Sequence, residues 1–468
     1  MAFGSSLPRA VAVRFKDLER WDIKSAVAAA FRNAHPGFVP FGRFIEESTE
    51  MIRPFDDPEK MWPVYGVNNR GGVFFNHHQK GSEFNAPYKR IRRDWFFHNP
   101  TRANVGSLGR VPEVEEDAIT SPEYQVWKIK DPDWLPEFVE ILIQLPIFLR
   151  LVQVHRVGAV KERLYTQNLL QIPVPPQQRD FQQAIMARWR AAQEKVAAAR
   201  TEAEEKERGI AQFLYEALAT PKPVEGNKAP RYMVLMWQDV KRWSYNYIVR
   251  SRQGLLGFQK SSFPIVPLGE CLVDTGNGYC IKPVTGPTPF KMLKLNALTS
   301  SGLDLDKTKF VDVPKKTAER FSLRKNDLLI CRSNAYEYVG KCALVEEDVP
   351  GILFPDIIIR ARLNGKVLPD FVRELIETPL GRSFFQVNSR RAVGGMWKIG
   401  AEDIRSFPLP LPRLDVQQEI VDRISAIRRE VARRHELADR MAEETKTEVE
   451  DMILGTKKVD CREANKIN

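Results

Sequence analysis

The chain has 468 residues, 43% hydrophobic and 28% charged, with Lys and Arg outnumbering Asp and Glu by 71 to 60 for a formal net charge of +11 and a pI near 9.3. Such a length exceeds what one hydrophobic core usually organises, so two to four globular domains are expected, and the basic balance favours a polyanionic partner unless it serves solubility alone. The five cysteines, Cys271, Cys280, Cys331, Cys342 and Cys461, are widely spaced and form no Cys-x-x-Cys pair, which speaks against zinc and a disulfide framework and fits a reducing cytoplasm.

Residues 1–18 hold no charged leader followed by a sustained apolar run, so no export signal is expected there. Phe15-Lys16-Asp17-Leu18-Glu19-Arg20-Trp21 then opens a pattern that returns as Trp237-Gln238-Asp239-Val240-Lys241-Arg242-Trp243, 222 residues later. Further along, Val39-Pro40-Phe41-Gly42 returns as Val266-Pro267-Leu268-Gly269 at offset 227, and Val67-Asn68 as Leu295-Asn296 at 228. Arg92-Arg93-Asp94-Trp95-Phe96-Phe97 answers Lys325-Asn326-Asp327-Leu328-Leu329-Ile330 at 233, each a charged turn feeding a run short enough for a buried strand. Gly109-Arg110 matches Gly340-Lys341, and Val114 to Asp117 matches Val345 to Asp348, both at 231. Collinear matches with slowly drifting offsets imply a duplicated unit in which loops have lengthened.

The most apolar stretch, 134–152, contains Glu137, Glu140, Pro146 and Arg150, so it reads as core helix rather than a membrane span of roughly 20 apolar residues. Its Leu135-Pro136-Glu137-Phe138-Val139 returns as Leu368-Pro369-Asp370-Phe371-Val372 at 233, with proline placed for the first turn of a helix. Ile172-Pro173-Val174-Pro175 with Asp180, Gln182, Gln183 and Ile185 returns as Phe407-Pro408-Leu409-Pro410 with Asp415, Gln417, Gln418 and Ile420 at 235.

A long helix is expected after each Pro-x-Pro segment. Ile185, Trp189, Ala192, Val196, Ala199 and Ala203 keep a four-three spacing that resumes at Ile210; Ile420, Ile424, Ile427 and Val431 keep it in the second copy and resume at Ala438 and Met441. Helices of about 40 residues would be about 60 Å long, and one apolar stripe on each demands a partner. The nearest partner is the duplicate, packed antiparallel with a globule at either end; dimerisation of an ordinary protein through the same seams is the alternative. Pro221, Pro223, Gly226 and Pro230 mark a linker between the copies.

Two variable modules, each closed by a hydrophobic-Pro-hydrophobic-Pro segment, Asp-x-Gln-Gln-x-Ile and a long helix, resemble the specificity subunits of type I restriction-modification systems. The resemblance covers residues 10–455, and its specific elements are Ile172 to Ile185 and Phe407 to Ile420. The run from Asn326 to Asn334 with Gly340-Lys341 adds the strand, Arg-Ser-Asn loop and Gly-Lys turn common in such modules, while the first copy departs there, reading His98-Asn99-Pro100-Thr101-Arg102-Ala103-Asn104. The resemblance implies an α+β, internally duplicated chain with two mixed α/β target recognition domains separated by two long antiparallel coiled-coil helices. Residues 1–176 would form the first recognition domain, 177–220 a spacer helix, 221–231 the linker, 232–412 the second recognition domain, 413–455 the second spacer helix and 456–468 a polar tail. Each domain would read half of a bipartite, asymmetric site in double-stranded DNA, with the helices as a ruler spanning on the order of 18 base pairs before domain offsets are subtracted. It further implies two methyltransferase subunits as partners and, optionally, ATP-dependent translocating nuclease subunits. Such a chain is not an enzyme and needs no cofactor of its own: S-adenosylmethionine would belong to the methyltransferase, ATP and Mg to the nuclease.

Phosphate affinity comes from Lys and Arg, whereas base identity is read by two-pronged hydrogen bonding, chiefly Arg or Lys to guanine and Asn or Gln to adenine. Clusters mixing these types supply the candidates. In the first module they are Tyr88, Lys89, Arg90, Arg92 and Arg93, then Arg102, Asn104 and Arg110, then His155, Arg156 and Lys161, with Arg163 beside Gly158. In the second they are Arg332, Ser333, Asn334, Tyr336 and Lys341, then Asn388, Arg390, Arg391 and Lys398 around Gly394-Gly395. Arg332 and Asn334, just past an apolar strand, are the foremost candidates for base contact. Any single one could instead be a solvated surface charge.

Two other readings stay open. A self-contained DNA methyltransferase would need an Asn/Asp-Pro-Pro-aromatic loop and a Gly-rich turn; Asn85-Ala86-Pro87-Tyr88 has Ala at its second position, and Asp274-Thr275-Gly276-Asn277-Gly278 reads as a tight turn. His77-His78 lacks acidic or cysteine partners at ligand spacing, and no Gly-x-x-x-x-Gly-Lys-Ser/Thr loop is present. A coiled-coil adaptor that binds no DNA would show salt-insensitive binding, the reverse of phosphate contact.

Overall fold

The computed structural model describes residues 23–222, 258, 260–299, 302–392 and 395–459. The paired segments 15–21 and 237–243, the linker from 223 onward, Gly394, Cys461 and the tail beyond 459 lie outside the described residues. The chain divides into two compact units, one holding residues up to Arg200 and from His435, the other Thr201–Arg434.

Both units use one plan. In the first, an antiparallel four-stranded sheet runs in the order Ile45–Glu47, Gln125–Ile129, Phe96–His98 and Leu108–Arg110. Its counterpart in the second runs Leu272–Asn277, Ile358–Leu363, Leu328–Cys331 and Cys342–Leu344. A second sheet accompanies each: five strands, Met51–Ile52, Tyr88–Arg90, Ile119–Thr120, Met61–Asn68 and Gly72–Lys80, in the first unit, and four, Thr308–Val311, Phe290–Leu293, Val349–Leu353 and Ser322–Leu323, in the second. Leu328–Cys331 and Phe96-Phe97 are short uninterrupted apolar runs because both faces of these strands are covered. Phe96 and Trp127 stack on one face at 4.5 Å between centroids, while Phe97 packs on the other with Tyr124.

Backbone pairing shows how literal the duplication is. Val39 pairs with Val174 and Pro40 with Pro173; Val266 pairs with Leu409 and Pro267 with Pro408, the same ladder displaced by the offsets 227 and 235 read from the sequence. One sequence match is corrected by the ladder. Phe97 pairs with Gly109 and Leu329 with Ala343, and Phe96 and Leu328 face equivalent cores, so Gly109 corresponds to Ala343 and not to Gly340. The counterpart of Gly340 (φ +78°) is Gly106 (φ +91°), both left-handed turn residues just before the returning strand. Likewise Asp94 (φ +64°) corresponds to Asn326 (φ +71°) rather than to Asp327.

The stretch 134–152 is resolved into two short helices, Pro136–Gln144 and Pro146–His155, each with proline in its first turn and most of its apolar side chains buried. Pro369–Glu377 and Pro379–Asn388 are their counterparts. Among the described residues no single helix is long and apolar enough to cross a membrane.

The long helices are Arg179–Ala217 and Leu414–Ile453, 39 and 40 residues. In the first unit Arg188 pairs with Glu448 at 2.6 Å and Arg200 with Asp439 at 2.9 Å; in the second Glu207 pairs with Arg428 at 3.2 Å and Glu202 with Arg434. Rising numbers on one helix meet falling numbers on the other, so the pair is antiparallel in both units. Ile185, Ala192, Val196, Ala203 and Ile210 are buried on one helix, and Ile420, Ile424, Val431 and Ala438 on the other, as the four-three spacing predicts.

The Asp-x-Gln-Gln motif has a mechanical role. Gln182 is fully buried; its Oε1 accepts from Leu135 N–H at 2.9 Å and its Nε2 donates to the carbonyls of Asp133 and Gln177. Gln417 repeats all three bonds with Leu368, Lys366 and Pro412. Each glutamine fastens the start of a long helix to the turn that launches the module's short helices. The far ends of the long helices contribute too: Glu450 accepts from Ile147 N–H at 2.7 Å and from Arg150, and Tyr215 Oη accepts from Leu380 N–H at 3.2 Å. Both satisfy a helix N-terminus that proline alone leaves open.

Candidate nucleic-acid interface

In the second unit the nominated residues converge. Strand Leu328–Cys331 ends in a loop closed at its neck by Cys331 N–H to the Lys341 carbonyl and Gly340 N–H to the Cys331 carbonyl, both 2.8 Å. Ser333 and Asn334 pair with Lys398 and Trp397, and Arg390 and Arg391 pair with the same two residues from the other side, forming a small three-stranded ribbon. Tyr336 meets Trp397 edge-on at 4.9 Å between centroids. Asn388 ends its helix, its Nδ2 donating to the Phe384 carbonyl at 2.8 Å. Arg390, Arg391 and Lys398 are exposed and form no ion pair with any described residue. Arg332 donates to the Asp356 carbonyl at 3.0 Å and its Nε is buried without a partner among the described residues; Asn334 Oδ1 accepts from Ala335 N–H at 2.8 Å.

The first unit builds the same ribbon more sparely. Val157 and Arg163 exchange backbone hydrogen bonds of 2.9 and 2.8 Å, at the positions taken by Arg390 and Lys398 in the other copy. The loop carrying Arg102 and Asn104 is closed by Asn99 N–H to the Ser107 carbonyl and tied to the hairpin by Leu164 N–H to the Pro100 carbonyl, as Ile399 N–H is to that of Arg332. His155 ends its helix as Asn388 does, Nδ1 lying 2.8 Å from the Leu151 carbonyl. Arg156 faces inward: only 11% of its side chain is exposed, and it donates to Gln153 and to the carbonyls of Thr101 and Glu162. It braces the ribbon from beneath. Glu162 also turns inward, its carboxylate held well below the ordinary range by Lys24 and, more weakly, by Arg156. Arg102, Lys161 and Arg163 are left exposed, with no ion pair among the described residues.

Underneath, His98 is completely buried between Trp127 Nε1, which donates to its Nδ1 at 3.3 Å, and the Leu164 carbonyl, 2.9 Å from Nε2. Burial drives its pKa down to about 4 against the carbonyl's opposing pull, so it is neutral and positions the loop.

The remaining nominated residues are elsewhere. Tyr88, Lys89 and Arg90 form a strand of the other sheet, and Arg92 and Arg93 occupy the turn at the opposite end of strand Phe96–His98 from Arg102. Acids neutralise them locally: Arg92 pairs with Glu50 at 2.8 Å, Arg93 with Glu113 at 2.6 Å, and Arg110 bridges Glu140 and Asp94 at 2.7 and 2.9 Å. Tyr88 packs edge-on against Phe84, and Lys89 is half buried, which lowers its pKa. His77 and His78 lie beside Gln79 and Glu115. Sequence reading found the basic groups around Gly158 and Gly395, with φ +129° and +79°, and missed Trp397 and the exposed Val160 and Met396 among them.

No protein-family model matches the chain. A curated protein, the type I restriction enzyme EcoKI specificity subunit of Escherichia coli (strain K12), is 28% identical over 171 residues, 36% of this chain and 37% of that protein, so the match spans little more than a third of the relative's length. A solved chain from the structural basis of complex assembly and conformational transition of the type I R-M system has a TM-score of 0.51 at 15% identity, over 89% of this chain and 97% of that one. The HsdS subunit from Thermoanaerobacter tengcongensis is also similar, at 15% identity over 90% and 97% of the chains, with a TM-score of 0.37. The resemblance to type I specificity subunits carried by the two Pro-x-Pro and Gln-Gln segments is therefore matched by a curated specificity subunit in sequence and by a type I R-M chain in fold.

Proposed function

We propose that this chain is the sequence-specific DNA-binding specificity subunit of a type I restriction-modification complex. Each recognition module reads one half of a bipartite, asymmetric site, and the chain directs two methyltransferase subunits and, where present, ATP-dependent nuclease subunits. It performs no chemistry itself: S-adenosylmethionine serves the methyltransferase, ATP and Mg the nuclease. The observation that carries this reading is the repeated loop-and-hairpin surface, which in both units presents basic side chains free of acidic partners among the described residues, Arg102, Lys161 and Arg163 in one and Arg390, Arg391 and Lys398 in the other. Cations without acidic partners among the described residues, grouped on a small β-structure, suit phosphate contact beside base edges.

The test is methylome sequencing of host DNA with and without the gene, in the presence of the partner methyltransferase. Loss of methylation at one gapped motif is expected, and exchange of residues 232–405 should alter one half-site only. Unchanged methylation with an active partner would move the adaptor reading ahead, and binding insensitive to salt would support it.

A further inference from the structure

The first hairpin ends in an apolar side chain with nothing to pack on. Val160 is 101% exposed, the most exposed large hydrophobic residue among those described, and it sits at the tip of the ribbon closed by Val157 and Arg163. The base of the hairpin is tied down. Gly158 has φ +129° and comes so near the Lys161 carbonyl that a Cβ there would lie 2.6 Å from its oxygen; Arg156 anchors the strand below, and Lys24 holds Glu162 inward. What remains outward is Val160 followed by the exposed Lys161 and Arg163, an apolar point beside two cations. The second module repeats the composition, with Met396 43% exposed between Arg390, Arg391 and Lys398.

A β-ribbon with this tip matches a major groove, whose floor offers one apolar group, the thymine 5-methyl. The neighbouring cations attract phosphates and bring the apolar tip to the groove. Resting on the reading of the chain as a DNA-binding specificity subunit, we propose that Val160 is a specificity-determining residue that recognises a thymine methyl in the half-site read by the first module.

The test uses the full chain with its methyltransferase and a duplex carrying the motif found by methylome sequencing, with each thymine of the half-sites replaced in turn by deoxyuracil. At one position the replacement should weaken binding roughly fourfold, the value of one methyl-sized apolar contact. With Val160→Ala, which removes no packing, the same replacement should change affinity less than about twofold, the departure from additivity usual for uncoupled sites. Lys161→Ala should instead weaken all duplexes alike. A half-site without thymine, no sensitive position, or sensitivity that persists in Val160→Ala overturns the proposal while leaving DNA recognition standing. Intact DNA binding with failure to retain the methyltransferase in Val160→Ala would assign the tip to a protein surface and overturn it too. Absence of any motif or duplex binding would instead be a failure of the DNA-binding reading itself.

Discussion

The two modules share a scaffold to the level of single hydrogen bonds and differ in how they distribute charge. In the second, Arg332 to Lys341 and Asn388 to Lys398 meet on one ribbon, and three of its cations lack acidic partners among the described residues. In the first, the nominated residues are split between two ends of one strand, and the denser group, Arg90 to Arg93, is countered by Glu50 and Glu113. A run of basic residues in sequence is thus a poor guide to field at a surface; carboxylates brought in by neighbouring loops decide it.

If the scaffold is truly duplicated, equivalent lesions should cost the same. Gln182→Ala and Gln417→Ala each remove a fully buried side chain and leave a part-buried N–H and two carbonyls without that partner, and each is expected to destabilise its unit by about 2–4 kcal/mol. Denaturant melts of the full-length single variants, with the transition of each unit followed separately, check this. Equal losses in different units sustain the comparison; a silent variant in one copy breaks it.

A pH scan should separate the modules. The His98 pKa is depressed to about 4, whereas an unfolded histidine titrates near 6.5, so between these values the unfolded chain binds the extra proton. The contribution is complete above about pH 6.5 and is lost as pH falls towards 4, amounting to about 3 kcal/mol. Its counterpart on the second sheet is Ile330, which does not titrate. The first module should soften selectively in mild acid, read by amide hydrogen exchange at pH 7 and pH 5, and His98→Gln should shrink the difference between the two modules.

The parts of this fold governed by local periodicity were legible. Four-three spacing marked both helical seams and Pro136 and Pro369 the start of the first short helix in each module, whereas the break at Pro146 that divides 134–152 in two was not read. Strand register was not legible to the residue, because Gly-Arg beside Gly-Lys imitates equivalence that the hydrogen bonds of Phe97 and Leu329 deny. The interface was harder still. Arg156 and Lys161 are near in sequence and both basic, yet one lies beneath the ribbon and the other on it, a distinction made by Thr101 and Glu162. The role of Gln182 needed Leu135, 47 residues away, to become visible.

The smallest expected effect is the sharpest on the charge contrast. Each phosphate that a variant no longer neutralises should flatten the dependence of log affinity on log salt by roughly 0.9. Arg390→Ala, Arg391→Ala and Lys398→Ala combined should therefore reduce the slope by about 2–3 if all three side chains neutralise phosphates. Arg92→Ala with Arg93→Ala removes two exposed cations but also frees Glu113 and leaves Glu50 paired with Arg90 alone, so its slope should change by less than about 0.5. Titrating a motif-bearing duplex across salt concentrations compares the two variants directly. A large slope change in the Arg92/Arg93 variant would place DNA on the acidic end of the strand and reverse the assignment of the recognition surface in the first module.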